Sequence, residues 1–250
     1  MTTVVSLHAH PDDEVLLTGG WLASRAAAGD RVVVVFATDG GAGLAGDVSG
    51  LAGRRRAEGE AAAQALGAAR VVWLGYDDSG MATAPSSAGR RLVDASVVSV
   101  AGEVARLLDE EDADILTGYD ANGGYGHPDH VHVHRIARAA QDLAQRRPQL
   151  LEATRDREPL LRLIRAARPF ARLLPGLTLP GDEIYTGRAE LATLPIERAD
   201  VRAHLEAKRD ALRAHRSQAG GGLRTVALLL ALPRPLAARV MGTEWFLVVP

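Results

Sequence analysis

The stretch Thr3-Val4-Val5-Ser6-Leu7-His8-Ala9-His10-Pro11-Asp12-Asp13-Glu14 decides the fold. Its first seven residues are almost continuously apolar and rich in β-branched side chains, the pattern of a short strand covered on both faces. Pro11 ends that strand. It forces the preceding His10 into an extended conformation and is itself favoured at the first position of a helix. The acids that follow then fall in the first turn of a helix predicted over residues 14–28.

The same alternation continues outward. Residues 31–37, 70–74 and 113–118 read as further strands, and 54–66, 89–108 and 129–145 as helices. Strands alternating with helices define βαβ units, so the fold class expected is α/β, a Rossmann-like doubly wound, mostly parallel sheet. Beyond Arg147 the rhythm changes. Residues 160–179 interleave Leu, Ile and Phe with Arg162, Arg165, Arg168 and Arg172, interrupted by Pro169 and Pro175. Strands are expected near 183–186 and 194–198, the second held to a sheet edge by Pro195. A helix over 200–215 and a closing strand over 243–249 complete a smaller C-terminal α/β layer. The expected organisation is one domain, 1–250, with a core at 1–147, a variable insert or lid at 148–182 and the C-terminal layer at 183–250.

Composition narrows the chemistry. The chain has 250 residues, 47% of them hydrophobic and 4% aromatic, so the core must be built from Ala, Val and Leu. A formal net charge of -2 gives no broad footprint for nucleic acid or an anionic membrane. With no cysteine, a disulfide scaffold, a thiolate metal site and a thiol nucleophile are all excluded. Lys208 is the only lysine, so it alone could form a Schiff base. No basic n-region and apolar h-region open the chain, and the longest apolar run, 226–232, falls well short of the ~20 residues a membrane span needs. A soluble cytoplasmic protein is expected.

Histidine carries the functional signal. Six of the 8 histidines fall in two groups, His8 and His10, then His127, His130, His132 and His134. Each group contains the tripeptide His-Pro-Asp, at 10–12 and 127–129, just ahead of a predicted helix; random order would give about 0.03 such tripeptides. In a doubly wound sheet the strands at 3–9 and 113–118 are neighbours, and ligands bind in the crevice beyond their carboxyl ends. His10, Asp13 and His130 then face one another as two imidazoles and a carboxylate, the donor set of an open catalytic zinc site. His132 and His134 read as ordinary helix residues, and His8 as core.

The stretches at 7–14 and 123–130, the latter Gly123-Gly124-Tyr125-Gly126-His127-Pro128-Asp129-His130, resemble the LmbE-like (PIG-L) N-deacetylases, zinc enzymes that remove acyl groups from amino sugars and their conjugates. Further likenesses lie at Arg55, Glu58 and Leu66-Gly67, at Asp78-Ser79-Gly80-Met81, at Lys208, Ala211 and His215-Arg216-Ser217-Gln218, and at Glu244-Trp245-Phe246. The likeness leaves out roughly 149–181. It implies one zinc ion per chain on His10, Asp13 and His130, with ferrous iron an alternative occupant. It implies Asp12 as general base and an imidazolium His127, held by Asp129, as oxyanion donor. Arg55, Asp78, Met81 and Tyr125 are implied as substrate contacts. The expected reaction is hydrolysis of an N-acyl, most simply N-acetyl, amide of a small amino sugar or glycoconjugate. Neither nucleic acid nor a membrane is expected as a partner, and homo-oligomerisation is left open.

Three rival readings are weaker. A metal-dependent phosphoesterase also uses His/Asp clusters, but the well-placed donors suffice for one ion. The run Gly41-Ala42-Gly43-Leu44-Ala45-Gly46 matches a dinucleotide fingerprint for an NAD(P) oxidoreductase, yet it follows the second strand and does not open a helix. A carbohydrate-binding module would need neither Asp12 nor an open metal position.

Overall fold

A computed structural model describes residues 1–41, 50–80, 90–154, 194–219 and 225–250. In chain order these form β1 (Thr3–His8), α1 (Asp13–Ala27), β2 (Arg31–Thr38), α2 (Leu51–Ala65), β3 (Arg70–Tyr76), α3 (Val97–Glu110), β4 (Ile115–Tyr119), the single turn α4 (Gly123–Gly126), α5 (Pro128–Leu143), β5 (Gln149–Thr154) and β6 (Ile196–Asp200). They continue as α6 (Leu205–Ala214), α7 (Arg216–Ala219), α8 (Thr225–Ala231), α9 (Arg234–Met241) and β7 (Thr243–Val249).

The seven strands make one sheet in the order β3-β2-β1-β4-β5-β7-β6. The first five are parallel, and β7 runs antiparallel between β5 and β6. The doubly wound, mostly parallel architecture expected from the sequence is the one observed. Its cause is visible in β2, which is buried on both faces. Val33 and Val35 pack with Val100, Val104, Val133 and Ile136 on one side. Val32, Val34 and Phe36 pack with Leu22, Ala62, Leu66 and Leu212 on the other. A period-2 strand can feed two cores only when helices cover both faces.

Three expectations shift. Residues 149–154, expected in the variable segment, form the sheet strand β5. Glu152 interrupts its apolar run, yet it is fully buried, taking two hydrogen bonds from the Arg138 guanidinium and lying 2.9 Å from His134 Nδ1. The helix expected over 89–108 begins only at Val97, behind a 3-10 turn at Leu92–Asp94. Ser96 there has extended angles (φ -63°, ψ 125°), as residues flanking a helix start do. The strand expected at 194–198 runs Ile196–Asp200 and does lie at the sheet edge. The segments 160–179 and 183–186, and the glycines at 220–222, lie outside the described residues.

The C-terminal layer is fastened to α1 by a buried ion pair. Lys208 Nζ lies 2.6 Å from Glu244 Oε1, and the Glu244 carboxylate accepts the backbone N–H groups of Gly20 and Trp21 at 2.8 and 2.7 Å. Gly20 permits this approach, because a Cβ there would lie 2.5 Å from Val201 Cγ2. The lone lysine is thus the counter-charge of a buried carboxylate. Lys208→Met leaves that carboxylate unpaired and is expected to lower stability by about 3–5 kcal/mol, read as the free energy of urea unfolding. A loss under ~1 kcal/mol would show that the pair is not what holds the layer. Among the described residues, no helix is long and apolar enough to cross a membrane.

Candidate metal centre and active site

Both His-Pro-Asp turns lie where the topology requires, beyond the carboxyl ends of β1 and β4, which are adjacent and parallel. This is the point where the strand order reverses, with β2 and β3 on one side and β5 on the other. His127 is extended (φ -62°, ψ 131°), as a residue before proline must be, and Pro128 opens α5. Asp12 is strained. Its φ of 111° lies in the left-handed region, which a non-glycine residue occupies at a cost of about 1–3 kcal/mol.

The three expected ligands converge. His10 Nδ1 is 3.1 Å from His130 Nε2 and 3.3 Å from Asp13 Oδ2, and the last two atoms are 3.1 Å apart. A tetrahedral ion with metal–donor bonds of ~2.0 Å needs donors about 3.3 Å apart, a spacing this triangle matches. Each donor is aimed from outside. His130 Nδ1 donates to the Gly123 carbonyl at 3.0 Å, turning Nε2 inward. His10 Nε2 donates to Asp129 Oδ2 at 3.1 Å, turning Nδ1 inward. The Tyr119 hydroxyl donates to Asp13 Oδ2 at 2.8 Å and accepts the Ala9 N–H at 2.8 Å. Burial alone would raise the Asp13 pKa, but His130 and His10 hold it well below the usual carboxylate range. For His10, burial is outweighed by the carboxylates of Asp129, Asp13 and Asp78, which raise its pKa well above the imidazole value.

Tyr119 escaped the sequence reading, although its place at the carboxyl end of β4 was signal enough. Tyr119→Phe removes the hydroxyl from Asp13 and is expected to weaken zinc affinity by about 10–100-fold, measured by competition with a chromogenic chelator. An unchanged affinity would mean that this hydroxyl does not tune the ligand.

The remaining expected residues surround this triangle. Asp12 is partly buried, and its Oδ2 is 3.4 Å from Arg55 Nη2. Burial pushes the Asp12 carboxyl up to about 6, with Arg55 opposing the rise and Asp13 adding to it. Of the three consecutive arginines, Arg55 is the buried one, at 3% exposure. It donates through Nη1 to the Gly40 carbonyl at 2.7 Å and through Nη2 to the Pro11 carbonyl. Gly40, at φ +66°, makes room for it, because a Cβ there would lie 2.6 Å from the guanidinium carbon. Arg55 therefore braces the Asp12 turn. Asp78 is 6% exposed, with Oδ1 3.4 Å from His10 Nε2. Tyr125 is 52% exposed, its ring centroid 5.0 Å from that of His130 and 6.0 Å from that of His127. Met81 lies outside the described residues, as do all but Gly41 of the glycine-rich run 41–46.

His127 and Asp129 depart from expectation. The Asp129 carboxylate accepts from His10 and from the Ser79 N–H at 2.9 Å, and what His127 Nδ1 receives is the backbone N–H of Asp129 at 3.2 Å. Burial, with repulsion from His10 and His130, pushes His127 down to about 4. The accepted backbone N–H and this lowered pKa favour a neutral ring over the imidazolium expected. Because Nδ1 accepts, its proton sits on Nε2. Of the other histidines, His132 and His134 donate to the Ala95 and Tyr119 carbonyls, and His8 is buried beside Ser6 and Phe36.

The fold and this crevice define a Rossmann-like α/β protein in which the first strand is followed by a His/Asp metal-donor cluster in place of a dinucleotide-binding glycine turn. Comparison with known proteins gives the family. A profile described as "PIG-L: GlcNAc-PI de-N-acetylase" matches residues 5–141, and the chain belongs to that family. It is 35% identical to a 1D-myo-inositol 2-acetamido-2-deoxy-alpha-D-glucopyranoside deacetylase of Saccharomonospora viridis, over 97% of this chain and 93% of that protein. Among solved structures it resembles the N,N'-diacetylchitobiose deacetylase of Pyrococcus horikoshii, with a TM-score of 0.65, 22% identity and coverage of 100% of this chain and 84% of that one. It also resembles the 4-carboxy-2-hydroxymuconate hydratase of Pseudomonas putida, with a TM-score of 0.63, 17% identity and coverage of 100% and 97%. A hydratase on the same fold shows why the activity must be argued from the site.

Proposed function

We propose that this chain is a zinc-dependent N-deacetylase acting on a 2-acetamido-2-deoxyglucoside carried on a small polar aglycone of the inositol type. The observation that carries the reading is the triangle of His10, Asp13 and His130 donors, 3.1–3.3 Å on an edge, with the partly buried carboxyl of Asp12 next along the chain to Asp13. The substrate class follows the Saccharomonospora viridis relative, whose similarity spans nearly the whole chain.

His10, Asp13 and His130 would hold the ion. When bound, it supplies Lewis-acid polarisation of the acyl carbonyl and acidification of a water at neutral pH. The protein's own groups do the rest. Asp12 takes the proton of the attacking water and returns it to the departing amine, a task suited to a carboxyl lifted towards neutrality. The Nε2–H of neutral His127, whose ring centroid is 4.5 Å from that of His10, would donate to the oxygen that gains negative charge as the carbonyl carbon becomes tetrahedral. Asp129 keeps His10 oriented. Asp78, buried beside His10, would offer a carboxylate to sugar hydroxyls, and Tyr125 an exposed ring and hydroxyl.

The test is to incubate zinc-loaded protein with N-acetylglucosaminyl-inositol and a panel of N-acylated glucosamines, following the free amine and acetate. Amine release that chelation stops and zinc restores is expected. Absence of release from every sugar amide would overturn the proposal. One observation favours a two-metal phosphoesterase: His10, Asp78, His127 and Asp129 form a second donor group, all within 4.8 Å. It shares His10 with the first site, however, and the outer nitrogen of His10 is already bonded to Asp129. Two metals per chain with turnover of a phosphate ester would reverse the preference.

A further inference from the structure

The strained turn at Asp12 is held from an unexpected direction. The main-chain N–H of Asp12 donates to Glu14 Oε2 at 2.8 Å. Acids in the first turn of a helix ordinarily lie at the surface, where they complement its dipole. Glu14 is instead 0% exposed, and its second oxygen, Oε1, lies 2.6 Å from Nε2 of His215, also 0% exposed. His215 lies 201 positions later in the chain, between α6 and α7. Its other ring nitrogen, Nδ1, is buried with no hydrogen-bond partner among the described residues, where the ring's polar contact is with Glu14.

The same turn makes a second attachment. Ser217 donates through its N–H and its hydroxyl to the two Glu58 oxygens, at 2.8 and 2.6 Å. Glu58 sits on α2 three residues after Arg55, the side chain that braces Asp12 from its other side. Residues 215–217 therefore join the helix that carries Asp12 to the helix that carries Arg55. A purely structural link could be made of apolar side chains at no desolvation cost. This one uses a buried carboxylate and a buried imidazole, and its far end is the backbone donor of a residue at φ 111°.

We propose that Glu14 and His215 are positioning residues for Asp12: the buried pair holds the Asp12 main-chain N–H and so fixes the direction in which the Asp12 carboxylate points. The assignment rests on the reading of Asp12 as the general base. Neither residue belongs to the donor triangle, so the pair acts through geometry alone.

The experiment compares Glu14→Ala, Glu14→Gln, Asp12→Asn and the Asp12→Asn/Glu14→Ala double variant, each zinc-loaded, with N-acetylglucosaminyl-inositol as substrate. Metal content, kcat, KM and a crystal structure are read for each. Glu14→Ala is expected to lower kcat about 10–100-fold with KM and metal content unchanged, and Asp12 should leave the positive-φ region. Glu14→Gln should recover most of kcat, because its amide oxygen can accept the same N–H. The double variant should be no slower than Asp12→Asn alone. Should Glu14→Ala fail to fold, His215→Ala and its rescue by His215→Gln, which retains a donor, give the same comparison. An Asp12 that stays at positive φ with unchanged kcat in Glu14→Ala overturns the proposal, as does a parallel loss of metal in the Ala and Gln variants. Full activity in Asp12→Asn would instead overturn the general-base reading, and the backbone angle of Asp12 would still decide the positioning claim.

Discussion

Asp12→Asn is expected to lower kcat by about 10²–10⁴-fold while zinc remains near one ion per chain. The substitution keeps size and hydrogen-bonding shape but removes the carboxyl, lifted by burial to about 6, that is assigned to accept the proton of the attacking water. Asp12 lies outside the donor triangle: its side chain turns towards Arg55, and the carboxylate beside His130 and His10 is that of Asp13. Metal content and turnover should therefore separate in this variant. Single-turnover kinetics with metal analysis of the same sample is the measurement. An Asp12→Asn protein within ~3-fold of wild type would remove Asp12 from the proton-transfer step.

His130→Ala should fail in the opposite order. It deletes one corner of the triangle and the ring stacked on Tyr119 at 4.3 Å, and leaves Asp13 without the stronger of the two imidazoles that hold it ionised. Zinc affinity should fall by more than the ~10–100-fold that loss of an outer hydrogen bond costs, and activity should be lost with it. Titration calorimetry on the metal-free protein reads the affinity directly. If added zinc at high concentration restored wild-type kcat to His130→Ala, the role of His130 would be affinity alone. Wild-type affinity would exclude it as a ligand.

These two variants test the part of the site that was legible in sequence. The twin His-Pro-Asp turns announce themselves because proline fixes the backbone on both sides of it, so the His and Asp positions follow from local rules. Adjacency of β1 and β4 needed only the doubly wound topology. What sequence hid were interactions set by tertiary packing. The strand at 149–154 is interrupted in sequence by Glu152, and the Arg138 that counters its charge approaches from a helix. Arg55 read as a substrate contact, and its bracing of Asp12 stayed hidden because no spacing rule places the Gly40 and Pro11 carbonyls it bonds nearby. The hydrogen bond at His127 Nδ1 depended on which atom of Asp129 reached it, the backbone N–H and not the side chain.

The donor triangle has a kinetic corollary. His10 and His130 are separated by 120 positions in the chain, and their rings meet only after β1 has paired with β4. A cation therefore has little to grip in an early, locally organised folding intermediate and binds tightly only once the long-range topology is complete. Zinc should slow the escape from the native basin while hardly speeding the approach to it, so the ion acts as a latch on a finished structure, not a seed for its assembly.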